Sequence, residues 1–148
     1  MKKNYLKEEV MFKKVNCVLL VDDDNVSVFL SEKFIRSLDI THEIKIAPNG
    51  EMALKYLLEC SSFGEPFPEL ILLDISMPVM DAFDFLQAYG NMNSDTIPKI
   101  AIAILTTSSN PRDIERLTNF GIVDYINKPL THEKLIHFME KHFNEDDE

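Results

Sequence analysis

At 148 residues, with 45% hydrophobic and 27% charged residues, the chain has the size and balance of one globular domain with room for a real core. Its 15 basic and 25 acidic residues leave a formal net charge of −10, which argues against a binder of the nucleic-acid backbone, since that needs a basic face. Such a surface suits a divalent cation or a basic partner, although most acidic surfaces are simply solvated.

Residues 1–14 carry lysines but no apolar segment of the kind a secretory signal needs, so they read as an N-terminal extension ahead of a domain at 15–143. Strands are expected at 17–21, 43–47, 70–73, 100–105 and 124–126, and helices at 26–38, 51–60, 82–89, 111–120 and 133–142. The first strand, "VLLV" at its core, is almost continuously apolar, as are "LILL" and "IAIAIL" later; strands buried on both faces read this way. The run is far too short to span a bilayer. Asn49-Gly50 resembles a hairpin turn, but a helix-period run follows, which predicts a strand-to-helix loop. Asp81 and Thr131 are placed to cap helices, Asn110-Pro111 is a cap followed by a first-turn proline, and Gly121 closes that helix. Residues 144–148 form an acidic tail. Cys17 and Cys60 lie far apart without metal-ligand spacing and read as free buried thiols of a reducing compartment. The chain is therefore expected in the cytoplasm, where the Asn25-Val26-Ser27 sequon has no meaning.

Strict alternation of five strands and five helices predicts an α/β, doubly wound parallel sheet, whose sites lie beyond the C-terminal strand ends. Four strands end on reactive groups. Asp22, Asp23 and Asp24 follow the first, Asp74 the third, Thr106 and Thr107 the fourth, and Lys128 the fifth. Each residue alone has an ordinary reading as loop, cap or solvated side chain. Together they suit phosphoryl transfer. Crowded carboxylates repel unless a cation relieves them, and an all-oxygen set with open positions fits Mg²⁺. A carboxylate can be the nucleophile, while lysine and threonine offer a phosphoryl group charge and a hydrogen bond.

The segments "VLLVDDDN" (18–25), "LILLDISMPVMDAFDF" (70–85), "IAILTTS" (102–108) and "DYINKPLT" (124–131) resemble, in order and spacing, the receiver domains of two-component response regulators. The resemblance spans 16–142 and implies a flavodoxin-like (βα)5 fold with strand order 2-1-3-4-5. It implies Asp74 as phosphoacceptor, assisted by Lys128 and Thr106. Mg²⁺ would be held by Asp23, by Asp22 mainly through water, by Asp74 and by the backbone carbonyl of Ser76. Thr106 and Tyr125 match the family's switch pair, Ser76 and Thr107 flank the acceptor where phosphate lifetime is set, and the Lys128–Pro129 bond is cis in the family. Asp24 has no required role. The family usually has glycine where this chain has Ala82, which matters if that position needs positive φ.

The implied function is a stand-alone switch that catalyses only its own phosphorylation and dephosphorylation. A sensor histidine kinase would donate the phosphoryl group, and a separate target or a histidine phosphotransfer protein would read or receive it. The responsive face would be residues 111–142, a common family dimer surface; neither nucleic acid nor membrane is implied. Two rivals share features. "VLLVDDDNV" fits the pattern of haloacid dehalogenase-type phosphatases, with Asp22 as nucleophile and Asp24 as acid, but leaves Asp74 without a role. A pseudo-receiver, binding partners without phosphate, is opposed by the complete residue set. A flavodoxin is weaker still, because three carboxylates would repel a phosphate from the first strand's end.

Overall fold

The computed structural model describes residues 12–144, apart from positions 76, 78, 93, 94, 96, 108, 109 and 123. Most of the expected extension (1–11) and of the acidic tail (145–148) lies outside the described residues. Five strands alternate with five helices: β1 (Val15–Val21), α1 (Asn25–Leu38), β2 (Thr41–Ala47), α2 (Gly50–Phe63), β3 (Leu70–Asp74), α3 (Ala82–Gly90), β4 (Ala101–Thr106), α4 (Pro111–Asn119), β5 (Tyr125–Asn127) and α5 (His132–His142). All strands are parallel, in the order β2-β1-β3-β4-β5 expected from the sequence. Boundaries coincide with the expected ones or differ by up to three residues, most at the end of α2. Gly64, at φ 67°, stops that helix with its N–H on the Cys60 carbonyl.

The alternation of side chains along the central strands divides them between two cores. Val18, Leu20, Leu70, Leu72 and Leu105 meet α1 and α5 through Ile35, Leu135, Phe138 and Met139. Leu19, Val21, Ile71, Leu73 and Ile104 meet α2, α3 and α4 through Leu57, Phe85 and Leu117. Leu70 to Leu73 are wholly buried, at about 1.5–3 kcal/mol each, which is why "LILL" carries no polar residue. Cys17 and Cys60 are buried free thiols, as expected.

Local signals set the helix starts. Asp24, Asn49, Asp81, Asn110 and Thr131 each accept a first-turn amide. Ala82 is the first residue of α3 and is not among the positive-φ residues, so glycine's freedom is not needed there. In the same loop it is Val79 that adopts φ 69°. The Lys128–Pro129 bond is cis. Before β1, Phe12 bridges Asn144 antiparallel and the Lys13 N–H donates to the Phe143 carbonyl at 2.7 Å, joining the start of the domain to the end of α5. No helix among the described residues is long and apolar enough to cross a membrane.

Gly50 is confined by contact rather than by its backbone angle. Its N–H donates to the Met80 carbonyl at 3.1 Å, and a Cβ there would stand 2.8 Å from that oxygen and 3.2 Å from Phe85 Cβ. Gly50→Ala gains some helix propensity but must push the loop after Asp74 away. We expect a net loss of about 1–2 kcal/mol, read by urea unfolding.

Candidate functional site

Strand register assembles the site. Val21 pairs with Leu73, so Asp22 and Asp74 fall on the next rung, at the point where strand order reverses between β1 and β3. Asp74 pairs with Leu105 and Thr106 pairs with Asn127, which places Thr106 and Lys128 on the same edge. The Lys128 N–H donates to the Thr106 carbonyl at 2.8 Å, fixing the lysine's origin.

Asp22, Asp74 and Thr106 are buried, while Asp23 is exposed. One carboxylate oxygen from each of Asp22, Asp23 and Asp74 can lie within 4.8 Å of the others. Lys128 Nζ stands between two of these acids, 3.0 Å from Asp22 Oδ2 and 3.2 Å from Asp74 Oδ1. Asp22 takes two further donors: Ser27 Oγ donates to its Oδ2 at 2.8 Å and the Asp24 N–H to its Oδ1 at 3.0 Å, leaving an acceptor site on Oδ1. Among the described residues, Asp74 is paired with Lys128 alone. Burial, followed by the charge of Asp22, raises its pKa above the usual carboxylate value, with Lys128 opposing. Burial works against the Lys128 ammonium, but the hydrogen bond to Asp22 and the charge of Asp74 outweigh it and raise its pKa.

The donor set is all oxygen, crowded and partly open to water. It fits a small hard divalent cation such as Mg²⁺ and offers nothing to a soft one. Ser76, whose carbonyl the resemblance adds to the ligands, lies outside the described residues. Asp24 is spent on capping α1, accepting the Ser27 N–H at 3.0 Å. With Asp22 held by three donors and Asp24 in a cap, the acid pair required by a dehalogenase-type phosphatase is not arranged for chemistry.

Thr107 is exposed beside Thr106 and shares with Lys128 the lining of a groove of about 400 Å³ under α1. Tyr125 is 40% exposed on β5. Nearby, Asp124 pairs with His142 and Lys141 of α5, which overcome burial and hold its carboxyl below the usual range. Arg116 of α4 sits 3.6 Å over the Phe83 ring of α3. Sequence reasoning missed Ser27 and a second lysine, Lys134, whose Nζ donates to the Asn127 and Pro129 carbonyls at 2.8 and 3.1 Å. A hydroxyl in a first helical turn gives no distinctive signal. A lysine there does, because that end of a helix favours acids.

A family model described as "Response regulator receiver domain" matches residues 18–140. The probable methanogenesis regulatory protein FilR2 of Methanothrix harundinacea is 30% identical over 124 residues, covering 84% of this chain and 79% of that protein. The hybrid signal transduction histidine kinase B of Dictyostelium discoideum is 29% identical over 141 residues, 88% of this chain but 7% of that protein. A two component response regulator from Cytophaga hutchinsonii aligns with TM-score 0.76 and 28% identity, covering 87% of this chain and 97% of its own.

Proposed function

The chain belongs to the response regulator receiver domain family, and we propose that it is a phosphorylatable switch whose acceptor is Asp74. The observation that carries this reading is the Lys128 ammonium bridging Asp22 and a buried Asp74 of raised pKa, with Asp23 open to water beside them. A buried carboxylate whose pKa is raised by its surroundings is a candidate for reaction, and the neighbouring acids supply a cation's ligands.

The reaction follows from these positions. An Asp74 carboxylate oxygen attacks phosphorus, the bond from phosphorus to a phosphohistidine nitrogen breaks, and the leaving imidazole takes up a proton. Lys128 faces the transferring phosphoryl oxygens, and the Thr106 hydroxyl donates to them once they sit on Asp74. Asp22, Asp23 and Asp74 would hold Mg²⁺, which supplies neutralisation of the phosphoryl charge when bound. In dephosphorylation a water oxygen attacks phosphorus, the bond between phosphorus and the Asp74 oxygen breaks, and the products are the carboxylate and inorganic phosphate, the water's proton being released; Thr107 borders that approach. The signal leaves through α4, β5 and α5, where Tyr125 is exposed and able to turn inward behind Thr106; a separate protein or a second copy reads that face.

The donor has its own surface. Val26, Phe29 and Leu30 form an exposed stripe on α1, at 66%, 65% and 44% exposure, directly after the Asp24 cap and beside the groove leading to Lys128. A protein presenting phosphohistidine to Asp74 must lie over this rim, and we read the stripe as its contact. Phe29→Ala should slow transfer from a phosphorylated sensor kinase about tenfold while leaving the rate with acetyl phosphate unchanged. Equal rates from both donors would remove this assignment.

Intact mass after incubation with acetyl phosphate, with and without Mg²⁺, tests the whole reading. A Mg²⁺-dependent gain of one phosphoryl group, absent in Asp74→Asn, is the expected outcome. No gain by folded, Mg²⁺-bound protein would make the chain a phosphate-independent binding module.

A further inference from the structure

The first turn of α5 contains a charge of the wrong sign. Lys134 is the third residue of the helix, where unpaired amides give partial positive charge and a cation is disfavoured. Its side chain accounts for it, since Nζ turns out of the helix and donates to the Asn127 carbonyl at 2.8 Å and the Pro129 carbonyl at 3.1 Å. These two carbonyls flank Lys128.

We propose that Lys134 is a positioning residue that aims Lys128 at the phosphoryl group on Asp74; the inference rests on the phosphoacceptor reading above. A lysine side chain is a flexible four-carbon stem bearing a point charge, so its aim depends on how firmly its backbone is held. The segment bearing Lys128 is anchored by buried Ile126 before it and Leu130 after it, while the backbone between them is near the surface. β5 is a three-residue edge strand, exposed at Tyr125 and Asn127, and pairs with β4 over three positions. The Lys128 N–H holds one side of the turn to Thr106. Lys134 holds the residues before and after Lys128 to α5, which is itself anchored by buried Leu135, Ile136, Phe138 and Met139. The clamp also connects the phosphate-facing lysine to a helix of the output face.

Lys134→Met retains the stem and removes the charge and donors, and the helix cap survives because it is the Lys134 backbone N–H that donates to Thr131 Oγ1. The test uses the full chain, acetyl phosphate and intact mass. The phosphorylation rate of Lys134→Met should fall about tenfold, with the Mg²⁺ concentration for half-maximal rate unchanged. Lys134→Arg, which keeps charge and paired donors, should recover to within about threefold of wild type. In a Lys128→Met background, Lys134→Met should cause no further loss, because its effect passes through the missing lysine. A wild-type rate for Lys134→Met, or an equal loss in the Lys128→Met background, would overturn the positioning role alone. A wild-type chain that takes no phosphoryl group under any condition would overturn the phosphoacceptor reading and this inference with it.

Discussion

Asp74→Asn is expected to abolish phosphoryl uptake and yet make the metal-free protein more stable. Loss of uptake follows from removing the nucleophile, since an amide oxygen cannot form the acyl phosphate. The gain in stability follows from the electrostatics of the crevice. Burial and Asp22 raise the Asp74 pKa in the folded state, above an unfolded value near 4. An acid with a raised folded pKa favours the fold when protonated, and this contribution is lost as pH rises through that pKa. At neutral pH the wild type therefore carries a poorly solvated charge that the amide lacks. The variant should gain about 1 kcal/mol at pH 7, a few degrees in melting temperature, and the difference should shrink towards pH 4. Saturating Mg²⁺ should reverse the order by stabilising the wild type more. A variant less stable than wild type at pH 7 without metal would show that Lys128 already neutralises the site in full.

Lys128→Met should be the more damaging substitution to the fold. It removes the ammonium that lies between Asp22, whose side chain is wholly buried, and Asp74. Breaking a buried pair while leaving the acids in place costs about 3 kcal/mol, much of it from the uncompensated charge. A bound divalent cation replaces the missing positive charge, so the loss in urea unfolding should be markedly smaller in saturating Mg²⁺ than in chelator. The phosphorylation rate should fall by about 10²–10³, the usual cost of removing one group aimed at developing charge in a water-poor site. A loss of stability that is the same with and without Mg²⁺ would mean that the ammonium is needed for its hydrogen bonds to Asp22 and Asp74 and not for charge that a cation can replace.

The fold was legible because the central strands are so apolar. A run such as "LILL" has few homes other than a sheet covered on both faces, and alternation with helices leaves few topologies. The assembly of Asp22, Asp74, Thr106 and Lys128 at one edge was legible as residues that each end a strand, although strand register, which sequence alone does not give, is what brings them together. The supporting contacts were hidden for the same reason. Ser27 reaches Asp22 from five residues away, and Lys134 reaches back across a turn containing a cis proline. Ala82 stands where the family usually has glycine without needing glycine's freedom, because the chain takes its left-handed turn three residues earlier, at Val79.

The antiparallel bridge of Phe12 with Asn144 makes the domain almost a closed ring. Its two ends meet at the N-terminal edge of the sheet, across the molecule from the carboxylates. Residues 61–66, on the same edge, are exposed, and Gly64 has open space around it. A circular permutant could therefore be stitched from 144 to 12 and opened at the Gly64–Glu65 bond. It would exchange the order of elements while keeping every strand tip in place. In such a chain β3 and its acceptor would be made first and β1, with the other two acids, much later. The receiver's chemistry would be retained while Asp22 and Asp23 moved from the first of its charges to be made to the last.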